Sequence, residues 1–269
     1  MFFEMSKVID NIKVCDNYFL LRIYNPRINF DFFPGQFLEI KISKSCNAFF
    51  KRPFAIFDLE RDSFSVLYHV IGEGTKALTD YKSGDLLEIL YPLGNYYPFE
   101  KAYSYDNIFI VVGGIGFASV YFLIKRLLKV SGKKVFVILG FKTKKDVFCL
   151  QFISDLKKIY SNLEFIVATD DGTLGMSGNV IDVFNEISKD LDNIIIFSCG
   201  PKKMLQNLSK NIAMSSKNIC CYASFETIMG CGIGICNGCS IKIRNNDTYL
   251  FKKVCQDGPI FNLRDVLWD

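Results

Sequence analysis

The chain of 269 residues is 50% apolar and 22% charged, which excludes wholesale disorder and leaves room for two or three units, each with a core. Its 32 basic and 28 acidic residues leave a net charge of +4, too mild and too evenly spread for a nucleic-acid binder. One histidine, His69, against ten cysteines excludes a histidine-built metal centre or imidazole relay, so any metal must be held by thiolates.

A mean hydropathy of +0.20 and 26 phenylalanines are high for a soluble monomer, and compositional bias or a buried partner interface each produces such values. Residues 1–20 show no charged-then-apolar leader, because Glu4, Lys7 and Asp10 interrupt them. The thiols are therefore expected to be reduced and the protein cytoplasmic.

Along residues 1–103 the pattern predicts short strands at 18–24, 36–42, 55–58, 63–70 and 85–90. Pro26, the Phe33-Pro34-Gly35 corner, Gly72, Gly74 and Gly84 separate them. Evenly spaced strands without a long amphipathic helix imply a small antiparallel β-barrel, closed off by Pro92-Leu93-Gly94 and Pro98. Arg52-Pro53-Phe54-Ala55, then Leu67-Tyr68-His69, then Gly74-Thr75 offer a fixed cation, aromatic rings and a tight backbone approach. Taken singly, these are also ordinary strand and turn residues.

Residues 104–217 change period. Apolar runs at 108–112, 134–139, 163–168 and 193–198 alternate with helical stretches at 118–130, 146–160, 179–189 and 201–214, which predicts a parallel sheet covered on both faces. Residues 108–124 carry no charge and approach the length of a membrane span, but Gly113, Gly114 and Gly116 in their middle fit a strand, tight turn and helix instead. No membrane segment is expected. A glycine turn opening a helix brings backbone N–H groups to a phosphate, although Gly-x-Gly-x-x-Ser with no acid after the next strand departs from the usual dinucleotide fingerprint. Cys199-Gly200-Pro201 marks another strand end and helix start, with Pro201 expected at the first helical position.

Residues 218–269 form a third expected unit, and six of the ten cysteines lie beyond residue 219. Cys231, Cys236 and Cys239 give C-x4-C-x2-C, with Cys255 after fifteen intervening residues, the plant-type ferredoxin spacing for a [2Fe–2S] cluster. Gly230, Gly232, Gly234 and Gly238 let such a loop wrap closely enough for backbone N–H groups to face the sulfides. A structural zinc site usually shows paired C-x2-4-C knuckles, so the spacing favours iron and sulfide. Cys15, Cys46, Cys149, Cys220 and Cys221 fall outside it and read as buried small hydrophobes.

The order of these features, from R-P-x-x and G-T through G-G-x-G and C-G-P to the cysteine loop, resembles the ferredoxin reductase-like family over essentially the whole chain. More closely, M-G-C-G-I-G-I-C-N-G-C at 229–239 and V-C-Q-D-G-P-I-F at 254–261 resemble the electron-transfer subunits of NAD-linked dihydroorotate dehydrogenases. The resemblance implies FAD on the barrel of residues 1–103, held by Arg52, Pro53, Phe54, Ala55, Leu67, Tyr68, His69, Gly74 and Thr75. Arg52 would pair with the pyrophosphate and Tyr68 would flank the isoalloxazine. It implies NAD on the α/β unit of residues 104–217, near Gly113, Gly114, Gly116 and Cys199, with 170–173 as a further cofactor-facing loop. It implies a [2Fe–2S] cluster on Cys231, Cys236, Cys239 and Cys255 in the unit of residues 218–269.

By the same resemblance, the partner is an FMN-containing catalytic subunit in a heterotetramer that oxidises dihydroorotate. The stretch 259–261 is a candidate contact for it. Two residues depart from the family: Ala55 stands where Ser or Thr is usual, and His69 where arginine is common. A subunit of the same build serving sulfide, sulfite or ferredoxin chemistry is the alternative, and Cys231 favours dihydroorotate because relatives of that other sort can carry aspartate there. A redox sensor without flavin would leave the barrel and α/β signatures unused.

Overall fold

The computed structural model describes residues 1–26, 32–44 and 50–268. Cys46 lies outside the described residues.

The N-terminal unit is an antiparallel sheet of seven strands: β1 (Phe2–Cys15), β2 (Tyr18–Tyr24), β3 (Phe37–Lys41), β4 (Arg52–Ala55), β5 (Asp58–Leu59), β6 (Ser63–His69) and β7 (Leu86–Leu93). Their order is β4-β3-β7-β1-β2-β6-β5. The sheet curls until β4 and β6 meet, the Phe54 ring standing edge-on to Tyr68 at 6.0 Å. Alternate residues point inward, so Val8, Leu21, Ile23, Leu38, Ile40, Val66 and Ile89 fill the interior.

The sequence pattern misses β1. Of its fourteen residues only Ser6 and Val8 are buried, so apolar alternation cannot reveal it. Pairing with β2 on one side and β7 on the other holds it in the sheet instead. The strand expected at 55–58 is two short strands, because Ile56 and Phe57 leave the β3 ladder and bond to Gln36 and Ser65 carbonyls. A short helix, α1 (Glu73–Leu78), follows Gly72 and was also not foreseen.

The second unit carries a seven-stranded sheet of β8 (Asn107–Gly113), β9 (Val135–Phe141), β10 (Leu163–Thr169), β11 (Met176–Ser177), β12 (Ile194–Cys199), β13 (Ile219–Ser224) and β16 (Ile260–Asn262). Its order is β11-β10-β9-β8-β12-β13-β16, parallel except for the last strand. Helices α2 (Phe117–Val130) and α3 (Leu150–Ile159) cover one face, and α4 (Val180–Ile187) and α5 (Lys202–Met214) the other. The charge-free stretch 108–124 divides into β8, the glycine turn and α2, and among the described residues no helix is long and apolar enough to cross a membrane. The helix expected from 146 begins at Leu150, after a 3-10 turn over Lys144–Asp146. Pro201 caps α5 rather than occupying its first turn. Asn179 caps α4 by accepting from the Ile181 and Asp182 amides at 2.9 and 3.3 Å.

Two strands from beyond the boundary expected at residue 217 join the sheet of the second unit. β13 pairs in parallel with β12, and β16 pairs antiparallel with β13, so the sheet's edge is built from the C-terminal segment. What stands apart is the cysteine loop and the hairpin β14 (Ser240–Asn245) and β15 (Thr248–Lys253). Of the cysteines outside the spacing, Cys149 and Cys221 are buried as expected, whereas Cys15 and Cys220 are only half-buried.

Candidate functional site

A cleft of about 320 Å³ opens where the three units meet. The barrel lines it with Arg52, Pro53, Phe54, Ala55, Leu67, Tyr68, His69 and Thr75; the glycine turn and α2 add Ile115, Ala118 and Ser119; the C-terminal segment adds Phe225, Glu226, Thr227, Met229 and Pro259. All but one of the residues expected for the flavin therefore line one cavity. The exception, Gly74, lies beneath the Arg52 side chain, and a Cβ there would come 3.2 Å from Nε. The Arg52 guanidinium donates to the Phe50 carbonyl at 2.7 Å, which fixes it over the first turn of α1. Thr75 accepts from the Ile71 and Gly72 amides at 3.0 and 3.2 Å and so sets that turn.

Tyr68 is only 2% exposed, stacked on Phe19 with its hydroxyl donating to Asn11 at 3.1 Å. Burial pushes its pKa up to about 12. Phe54, half-buried and set edge-on to Tyr68, lines the same cavity. Ala55 supplies no hydroxyl, but Ser119, Ser224 and Thr227 bring three to the same cavity.

A second cleft, about 460 Å³, shares His69 with the first and runs past Gly113, Gly114, Gly140, Lys142, Asp170, Pro201 and Lys203. His69 stacks on Tyr18 at 4.3 Å, and Tyr18 on Phe148 at 4.1 Å, so the residue the two cavities share is held in a stack of three rings. Burial lowers the His69 pKa, with Asp146 opposing, and the ring is neutral above its ordinary range. Gly114 has φ +53°, and open space lies where a Cβ would point, which leaves its backbone accessible to a ligand.

Gly116 and Cys199 sit beneath these cavities rather than on their walls. A Cβ at Gly116 would fall 2.5 Å from the Cys199 carbonyl oxygen. We expect Gly116→Ala to destabilise the protein by about 1–3 kcal/mol, the usual cost of overpacking against backbone, visible as a lowered melting temperature. Cys199 is fully buried at the end of β12, bonded by Ser119 and Ser224, and burial together with the Glu226 charge holds its thiol well above the ordinary range. It remains a thiol and shapes the floor.

Glu226 was not legible in the sequence. It stands two residues beyond β13, is exposed, and lines the cleft, where the protein packed around its carboxyl pushes its pKa up. A carboxyl at a strand end lining a cavity is visible only once the fold brings it there.

The four spaced cysteines converge as two pairs. The Cys236 amide donates to Cys231 Sγ at 3.4 Å, and the Cys255 amide to Cys239 Sγ at 3.4 Å. Among the described residues no three ligating side chains surround a single point. Two thiol pairs suit a two-iron cluster, which takes two thiolates per iron, better than one tetrahedral zinc ion. Burial disfavours ionisation of Cys231, yet the Cys236, Ile233 and Ile235 amides outweigh it and bring its pKa down to about 7. Burial, reinforced by Cys239, pushes Cys255 up to about 12. Gly232 and Gly234 adopt φ +65° and +83°, which lets the loop turn its amides inward. The residues present fit the cluster.

The stretch 259–261 is not the exposed partner surface its apolar sequence suggests: Pro259 and Ile260 are buried and Phe261 is half-buried. The strand pairing of β16 and the cleft wall consume them.

Comparison with known proteins agrees with this layout. A family model described as the iron-sulfur cluster binding domain of dihydroorotate dehydrogenase B matches residues 226–267, and the oxidoreductase NAD-binding domain matches 110–210. The electron transfer subunit of dihydroorotate dehydrogenase B (NAD(+)) from Caldanaerobacter subterraneus subsp. tengcongensis is 38% identical over 87% of this chain and 87% of its own. That of Bacillus mycoides is 39% identical over 87% of this chain and 86% of its own. Among solved structures, an NADH-dependent reduced ferredoxin-NADP oxidoreductase superposes with a TM-score of 0.81 at 26% identity, covering 98% of this chain and 90% of that one. A ferredoxin NADP+ reductase from Neisseria gonorrhoeae, with bound FAD and NADP, shares the fold at a TM-score of 0.69 and 15% identity, covering 83% of this chain and 99% of that one. A cleft bounded by all three units, a paired-thiol loop beside it and relatives matching along most of both lengths place the chain in the family of electron-transfer subunits of NAD-linked dihydroorotate dehydrogenase B.

Proposed function

We propose that the chain carries electrons between a [2Fe–2S] cluster, FAD and NAD, coupling dihydroorotate oxidation in an FMN-containing catalytic subunit to NAD+ reduction. The observation that carries this reading is the first cleft, to which barrel, α/β unit and cluster segment all contribute walls. NAD(H) exchanges a hydride, a [2Fe–2S] cluster exchanges single electrons, and a flavin between them does both.

The residues supply position and protons. Arg52 would pair with the flavin pyrophosphate, and Phe54, Ala55, Ile115 and Ala118 would wall the same cleft against water. Gly113, Gly114, Lys142 and Lys203 line the second cleft and would hold the dinucleotide. A flavin receiving single electrons would also take up protons, and Glu226, which lines the first cleft and whose carboxyl pKa is raised, would stand as a donor on its wall. Because folding raises this pKa, the stability it contributes is present at low pH and is lost as pH rises through the folded value. Melting temperatures at about pH 5 and about pH 8 are expected to show Glu226→Gln removing part of the decline at the higher pH.

The catalytic subunit docks on the face around Cys236, where Ile228, Ile233 and Ile235 are 91%, 37% and 75% exposed beside Phe50. The assembly is a heterotetramer in the cytoplasm. A second reading, a subunit of the same build in an NAD(P)H-linked ferredoxin complex, draws on the likeness to the ferredoxin-NADP oxidoreductase. Identity of 38% over 87% of the chain favours dihydroorotate.

Anaerobic titration of the purified protein with NADH tests the path. Flavin and iron–sulfur absorbance are both expected to bleach; a flavin that bleaches beside an unchanged, intact cluster would overturn it. Co-purification with the catalytic subunit separates the two readings of partner.

A further inference from the structure

Strand β3 alternates. Leu38 and Ile40 point into the barrel, while Phe37 and Glu39 share the outer face and meet the cysteine loop. Phe37 packs in the same apolar cluster as Cys239, Val254 and Cys255, an ordinary contact between units. Glu39 is not ordinary. It is 1% exposed, and its Oε1 has no hydrogen-bond partner.

Its carboxyl presses on the backbone of Gly232, the residue after Cys231. A Cβ there would lie 2.4 Å from Glu39 Cδ and 2.6 Å from each carboxylate oxygen. The loop so touched, 231–236, is the one whose amides converge on Cys231 Sγ. Burial pushes the Glu39 carboxyl pKa up, and Lys51, the nearby cation on the barrel whose Nζ also meets Glu88 at 3.5 Å, opposes that shift and favours the charged form. Two ferric ions, two sulfides and four thiolates together carry two negative charges, and one-electron reduction makes that three. In its ionised form, a carboxyl sealed against this loop in a region of low dielectric opposes the added charge.

We propose that Glu39 is a tuning residue of the cluster, a charge supplied by the flavin barrel that lowers the cluster's affinity for an electron and so favours its passage to the flavin. This rests on the reading that the loop holds a [2Fe–2S] cluster. The balance is one electron added to the oxidised cluster, taken from dithionite in the test and from the catalytic subunit in turnover.

Redox titration of the full chain at fixed pH, followed by the electron paramagnetic resonance of the reduced cluster, tests the proposal. Glu39→Gln keeps the shape and removes the charge, and its cluster midpoint is expected to shift positive while the flavin midpoint stays. Glu39→Asp keeps the charge and is expected to lie nearer the wild type. Lys51→Gln, outside the loop, removes the opposing charge and is expected to shift the midpoint negative. An unchanged midpoint in Glu39→Gln, whatever Lys51→Gln does, would overturn the proposal while leaving the cluster reading intact. Absence of a [2Fe–2S] signal in the wild-type protein would overturn both.

Discussion

Cys236→Ser is expected to leave NADH-driven reduction of an artificial dye near the wild-type rate and to reduce coupled NAD+ reduction by the assembled complex to the background of a cluster-free preparation. The asymmetry follows from where the residue stands. Cys236 is the exposed member of its thiol pair, and Gly230 and Gly238 are its close neighbours, with hypothetical Cβ positions 3.5 and 3.6 Å from its sulfur. Replacing it removes one thiolate and lets the cluster go, while the two clefts, which none of the four cysteines lines, lose none of their lining. Hydride exchange between NADH and flavin needs only those clefts. Measuring both activities on the same preparation checks the assignment, and coupled activity retained by the variant would break the proposed route.

The second large effect is on flavin retention. Arg52→Ala removes a guanidinium held in place by the Phe50 carbonyl and resting on Gly74. Hydrogen bonds to charged groups contribute about 1.5–3 kcal/mol, so FAD affinity should fall about 10- to 100-fold, read by fluorescence of released flavin on dilution. Arg52→Lys should recover only part of this, because a point charge replaces a planar fork. Neither variant should release iron, since none of the four cysteines touches Arg52's cleft.

How far the sequence reveals this site depends on how local each feature is. The cysteine loop is legible because its ligands lie within one short stretch, and the glycines that let its amides face sulfur sit among them. The parallel strands 107–113 and 194–199 announce themselves as unbroken apolar runs, because sheets covered on both faces leave no polar alternation. β1 stays hidden because its order comes from two neighbouring strands rather than from its own pattern. Glu39 and Glu226 look like ordinary charged residues until the chain folds. One is sealed by a loop almost two hundred residues away in sequence, and the other is turned into a cavity by the edge of the sheet. Pro259 and Ile260 mislead in the opposite sense: an apolar stretch after the last cysteine suits a contact surface, but β16 uses it to close the sheet.

That closure governs how the cluster is carried. The chain leaves the sheet at Ser224 and rejoins it at Ile260, residues that face each other across the β13–β16 ladder. The cysteine loop and its hairpin are thus an excursion whose entry and exit are clamped side by side, with Asn95 adding bonds from the barrel to the Asp257 and Ile260 carbonyls at 2.9 Å each. Electron tunnelling falls steeply with separation, and a cluster on a hinge would pass electrons only in the fraction of time it swung close. Here the gap between flavin cleft and thiol pairs is set by covalent chain and sheet register, so the transfer distance is a fixed dimension of the fold, available on every encounter.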